Sequence, residues 1–187
     1  MGEPLFRFES KKAGQAAAFV LKRAGGQHTK GHLVKMLYGA DRRQMRRTGI
    51  PITGDYAVSM PHGPVLSTIL NILDGKRKNS YWNAHLSTAT ADTHKVHLLA
   101  EADEDLLSEN EKEALTFACD YFRNMTWEEV KEAAHDPKIF SEWKDPKGSS
   151  IPISHEEILK HVEKSDDQIQ ALKDFQTEEA LLAKIFA

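Results

Sequence analysis

The sequence predicts a mostly α protein of the α+β class: a compact helical domain with a small β-hairpin or short sheet. Three observations carry this. Ser108-Glu-Asn-Glu111, Thr126-Trp-Glu-Glu129 and Ser154-His-Glu-Glu157 each match the Ser/Thr-x-x-Glu box that caps a helix N-terminus. Leu115, Ala118, Cys119 and Phe122 recur at the spacing of a helix core stripe. The only β candidates are short segments between turn residues.

The elements follow in order. A first helix is expected from Ser10 to Ala24, ended by Gly25-Gly26. A second starts near Thr29 and runs to Thr48, with Gly49 beyond its end. Gly-Ile-Pro-Ile-Thr-Gly-Asp (49–55) then reads as a turn. Pro51 fixes φ and extends Ile50, and Thr53, Gly54 and Asp55 are tight-turn residues. Tyr56–Met60 is a candidate strand. Gly63-Pro64 predicts re-entry into a helix, with Pro64 in its first turn and the helix running from Val65 to Leu73. Trp82–Leu86 and Lys95–Leu99 are expected to form a local hairpin or meander. Helices follow each capping box: the hydroxyl accepts from an orphan N–H and the glutamate reaches back. A last helix is expected over Thr177–Phe186, its Leu181, Leu182, Ile185 and Phe186 either packing on the body or lying on a partner.

Composition limits the function classes. The chain has 187 residues with 40% hydrophobic content, enough for one domain with a modest extension. No run approaches the ~18 apolar residues of a membrane span. The N-terminus lacks a signal pattern and a myristoylation serine or threonine. Its single cysteine, Cys119, falls on an apolar helix stripe and suits a reducing cytoplasm as a small core residue. Net charge is −3, yet residues 1–80 carry +9 and residues 81–187 carry −12. Such polarity suits either docking on a charged partner or two halves that face one another. The acidic second half argues against wrapping along nucleic acid.

The second helix holds the most informative residues. At ~100° per residue, Leu33, Val34, Leu37, Ala40 and Met45 share one face. Asp41 falls among them, whereas Arg42, Arg43, Arg46 and Arg47 lie around the rest of the wheel. A carboxylate on a buried face needs a partner. The candidates are an arginine from elsewhere or the backbone N–H groups of the 49–55 turn; the functional alternative is an acid used in proton transfer. Asp41 therefore reads as a tie between helix and turn. A hydrolase built on Asp41, Asp55 and His62 lacks a nucleophile with base and orienter. The nine histidines show no metal-ligand pattern: His28 precedes the helix holding His32, and His94 and His97 point to opposite faces of a strand. Trp82, Trp127 and Trp143 read as core or interface anchors.

Lys35-Met-Leu-Tyr38-Gly-Ala-Asp41-Arg42, Gly49-Ile-Pro51-Ile-Thr53-Gly54-Asp55-Tyr-Ala57 and His62-Gly63-Pro64-Val65 closely resemble the Panacea domain, the SocA-like antitoxin domain of a phage-associated family. Leu107-Ser108 with Glu111 and Leu115, His135 with Trp143, and Pro152-Ile153-Ser154 fit the same pattern, so the resemblance spans about residues 10–160. It implies a non-enzymatic, cytoplasmic antitoxin that binds a cognate toxin directly, without cofactor or metal. Toxic relatives of alarmone synthetases are among the toxins such domains neutralise. The alternatives it leaves are an adaptor delivering a toxin to the ClpXP protease, as SocA does, and a phage-associated nucleic-acid-binding regulator or enzyme. Some relatives add a DNA-binding domain; this chain begins almost at once in the antitoxin domain, so DNA binding is not expected.

The expected organisation is an antitoxin domain over 1–150 and a helical extension over 151–187 packed on it. By resemblance, Tyr38, Asp41, Arg42, Gly49, Pro51, Thr53, Gly54, Asp55, His62, Gly63 and Pro64 form the family motif, holding the fold or meeting the partner. Two surfaces are candidates for the toxin. One is the arginine face with Arg43, Arg46 and Arg47; the other is an acidic surface with Glu101, Asp103, Glu104 and Asp105. Gly39 stands where relatives more often carry a larger residue, which suits close approach of another helix.

Overall fold

The computed structural model describes residues 4–185. The predicted α+β class holds. Helix α1 (Ser10–Arg23) leads into strand β1 (Gln27–Thr29) and helix α2 (Lys30–Thr48). Strands β2 (Ala57–Met60) and β3 (Gly63–Leu66) precede helices α3 (Ser67–Leu73) and α4 (Ser80–His85). Strand β4 (Lys95–His97), helices α5 (Glu109–Phe122) and α6 (Trp127–His135), strand β5 (Ile151–Ile153), helix α7 (His155–His161) and helix α8 (Asp166–Ile185) complete it. No helix among the described residues is long and apolar enough to cross a membrane.

Helix α2 is the axis of the fold. The Thr29 hydroxyl caps its start by accepting from the His32 N–H, and Gly49 at φ 85° ends it. It packs against α1, α3, α5, α6 and α7. Its first turns are buried all round, from His32 to Tyr38. The two-sided wheel therefore describes only its last turns, where the arginines lie. Gly39 faces α5: a β-carbon there would sit 3.4 Å from the Phe122 ring and 3.7 Å from the Ala118 methyl. A methyl group there would meet both at ordinary contact distance.

Several local expectations differ from the fold. Pro64 lies in strand β3, and the helix begins only at Ser67. The reason is Gly63 at φ 96°, which helps close a two-residue turn between Met60 and Gly63. Since β3 is an edge in the order β3-β2-β5, the missing Pro64 N–H costs no ladder bond. Trp82 belongs to α4, capped by the Asn79 side chain accepting from the Trp82 N–H at 3.2 Å. Strand β4 pairs antiparallel with the distant β1, and Leu86 meets Leu98 only through one isolated bridge.

The boxes at Ser108 and Thr126 form in full, but that at Ser154 is half made. Glu157 is drawn away to Lys144, 2.6 Å from its Oε1. The last helix begins at Asp166, eleven residues before the expected start at Thr177. Ser165 and Gln168 cap it reciprocally, at 3.0 and 3.2 Å. Phe186 lies outside the described residues.

Strand β5 pairs with β2, and Ile153, Ile158, Leu159 and Val162 join the core that also holds Leu33, Leu37 and Leu115. Residues 151–162 thus sit on the same core as α2.

Candidate functional site

Of the family-motif residues, Thr53, Gly54 and Asp55 converge on one corner, built around Asp41. Its Oδ1 accepts from the backbone N–H groups of Ile52 at 2.9 Å and Thr53 at 3.0 Å. Its Oδ2 accepts from the Thr53 hydroxyl at 2.5 Å. Of the two partners expected for this acid, the turn backbone is the one used. Burial pushes the Asp41 carboxyl up to about 7, and the bonds from Thr53 and Ile52 pull the other way.

The corner extends in three directions. The Thr53 carbonyl accepts from Glu9 N–H at 2.9 Å, which ties down the N-terminal arm. The arm passes so close that a β-carbon on Gly54, at φ 66°, would lie 1.9 Å from the Arg7 carbonyl oxygen. Asp55 accepts from the N–H groups of Thr68 at 3.2 Å and Ile69 at 2.9 Å, seating the start of α3. Burial raises its pKa, and the bonds from Ile69 and Thr68 oppose the rise. His155 closes the ring from α7. Its Nδ1 accepts from Phe6 N–H at 3.4 Å, so Nε2 carries the proton and donates to the Asp55 carbonyl at 2.9 Å. Burial lowers the His155 pKa, keeping it neutral.

A second buried cluster lies one helical turn away. Glu142 has a fully inaccessible side chain and accepts from Tyr38 Oη–H at 2.6 Å and from Arg42 Nε–H at 2.8 Å. Phe140 packs on the Tyr38 ring at 5.4 Å and lies 5.8 Å from the Arg42 guanidinium. Burial, and then the Glu142 charge, hold the Tyr38 phenol well above its usual range. Sequence reasoning marked Tyr38 and Arg42 but missed Glu142 and His155. Each sits in a polar segment with no periodic signal.

His62 stands on the exposed β2–β3 turn, its ring edge-on to Trp127 at 5.9 Å. Among the described residues no hydrogen bond joins it to Asp41 or Asp55. The two residues before it are clamped from α6 and from the segment that follows it: His135 Nε2 meets the Pro61 carbonyl at 3.0 Å, and the Trp143 indole donates to Met60 O at 3.0 Å. The rings of His135 and Trp143 stack at 4.1 Å, which explains their eight-residue spacing in the motif. His28 accepts at Nδ1 from Thr29 N–H, so its Nε2–H donates to the Arg123 carbonyl at 3.0 Å. His32 Nε2 faces the Met125 carbonyl at 2.9 Å.

Lys35 is another group that the sequence did not flag. It is 1% exposed, and its Nζ donates to the Pro64 carbonyl at 2.7 Å, pinning β3 to α2. Burial lowers its pKa to about 7 from 10.5. Unfolded chains then bind more protons than folded ones between these values, so stability rises with pH through that window. Asp41, raised to about 7, acts oppositely below pH 7 and only weakly above it. The expected net gain between pH 7 and 8.5 is about 1 kcal/mol, and Lys35→Met removes it. Urea midpoints at the two pH values check this.

Both charged surfaces find partners within the chain, though not in each other. Arg47 bonds Glu113 at 2.8 Å and Asn110 at 3.0 Å, and Arg46 reaches Glu163 at 3.1 Å. Arg43 stacks 3.9 Å over the exposed Phe117 ring. Lys22 meets Glu101 at 3.2 Å, Lys112 meets Glu104 at 3.2 Å and Lys11 meets Asp105 at 3.7 Å. Asp103 is exposed. Much of the opposite polarity of the two halves is spent inside the fold, in pairs worth little individually.

The family model described as Antitoxin SocA-like, Panacea domain, matches residues 33–144, from the first core leucine of α2 to just past Glu142. No curated protein and no solved structure matches the chain. With more than half its length under that match, the chain belongs to the SocA-like antitoxin family with a Panacea domain.

Proposed function

We propose that this protein neutralises a cognate toxin by direct, stoichiometric protein–protein binding, with no chemical step of its own. One observation carries the reading. The polar motif groups are engaged inside the chain: Asp41 by the turn, Asp55 by α3, and Glu142 by Tyr38 and Arg42. Such groups build a frame, and a frame presents surfaces. Residues 1–150 are read as the antitoxin domain and 151–187 as its helical extension, docked through β5 and α7. A toxin that handles nucleotides or transfer RNA, such as a toxic alarmone-synthetase relative, has a basic cleft that acidic helices complement.

The test is co-expression with the product of the adjacent gene. That product alone is expected to arrest growth. Together with this chain, growth returns and the two proteins co-purify in near-equal amounts. Arrest that persists, with no complex formed, refutes the reading.

A further inference from the structure

Among the described residues, helix α8 leaves an apolar face uncovered. The first half of this helix is anchored: Ile169 is buried, Lys173 Nζ lies 2.9 Å from Glu156, and Leu172 packs against Gly49. Beyond Lys173 the inner side borders a groove of about 900 Å³ against the N-terminal arm and the 50–54 turn. The outer side is different. Phe175, Leu182 and Ile185 are 49, 41 and 66% exposed, while Leu181, 59% exposed, lies at the edge of the groove. Ala171, Phe175, Glu178, Leu182 and Ile185 follow the 4-3-4-3 spacing of a helix-pairing stripe. Scattered exposed leucines need no explanation, but a stripe at this spacing does.

The charges beside the stripe select its occupant. At ~100° per residue, Asp167, Asp174 and Glu178 share the outward arc with Phe175 and Leu182. Both lysines of α8, Lys173 and Lys184, fall on the opposite side and line the groove. Among the described residues, none of these three acids makes an ion pair. A second copy of this chain would bring Glu178 and its acidic neighbours against their own kind, a like-charge arrangement that disfavours pairing. Nucleic acid and anionic lipid are repelled for the same reason. An apolar surface rimmed with lysine or arginine satisfies both features at once. The helix also lies outside the family-matched 33–144.

We propose that the outward face of α8 is the helix by which this antitoxin grips its toxin, and that the toxin offers an apolar groove with a basic rim. This rests on the toxin-neutralising reading above. The test compares wild type, Phe175→Ser/Leu182→Ser and Glu178→Lys for binding the purified product of the adjacent gene. The double variant is expected to weaken Kd at least about 100-fold, with melting temperature and helical content unchanged, since the altered side chains are exposed. Glu178→Lys weakens it about 10-fold and flattens its salt dependence. Wild-type binding matched within threefold by the double variant overturns the α8 assignment while leaving neutralisation intact. A wild-type dimer dissolved by the double variant also overturns it, in favour of self-pairing. Absence of any wild-type complex defeats both readings.

Discussion

Replacing Glu142 with alanine is expected to cost about 3–5 kcal/mol of unfolding free energy, among the largest effects of any single substitution in this chain. The carboxylate is the acceptor for a Tyr38 hydroxyl inside the core and for the Arg42 Nε–H. Its removal leaves a largely covered cation and a buried hydroxyl without their acceptor. Equilibrium urea unfolding measures the loss. A change below about 1 kcal/mol would show that the Tyr38–Glu142–Arg42 cluster does not hold α2 to the 140–143 segment.

Asp41→Ala is expected to cost a similar amount, about 3–5 kcal/mol. It strips an acceptor from two backbone N–H groups and one hydroxyl, all in the turn that also carries the N-terminal arm. Asp41→Asn keeps the shape and one acceptor oxygen, but turns an NH₂ toward one of the donors. Its expected cost is about 1–3 kcal/mol, read as a melting-temperature fall of about 2–4 °C per kcal/mol. The two substitutions also separate structure from catalysis. A melting temperature that stays put while a function is lost would make Asp41 a reacting group and contradict its role as a tie.

Local chemistry made much of this architecture readable. The wheel placed Asp41 on a buried face, and the turn sequence beside it named its partner correctly. The hydroxyl caps at Thr29, Ser108 and Thr126 began their helices where the pattern said. What could not be read depends on groups far apart in the chain. Tyr38 and Glu142 are separated by 104 positions, and His155 reaches Asp55 across 100. The β1–β4 pairing is equally remote, so β4 read as part of a local hairpin. Lys35 escaped notice because a lysine on a helix reads as solvent-facing until the helix is known to be central. One missed signal was present. Ser165 and Gln168 are the glutamine form of the capping box, and they would have started α8 correctly. Arg43, Arg46 and Arg47 were legible as surface, but Arg42 turns inward onto Glu142, and only the fold shows how many of these charges meet the acidic half of the same chain.

Titration separates neutralisation by binding from neutralisation by turnover. The toxic activity of the adjacent gene product is followed while this protein is added in known molar ratio. Neutralisation by binding gives a linear loss that reaches zero at a fixed small-integer ratio, with the complex recovered intact. Complete inactivation by a small fraction of an equivalent, with no complex recovered, would show turnover and contradict it.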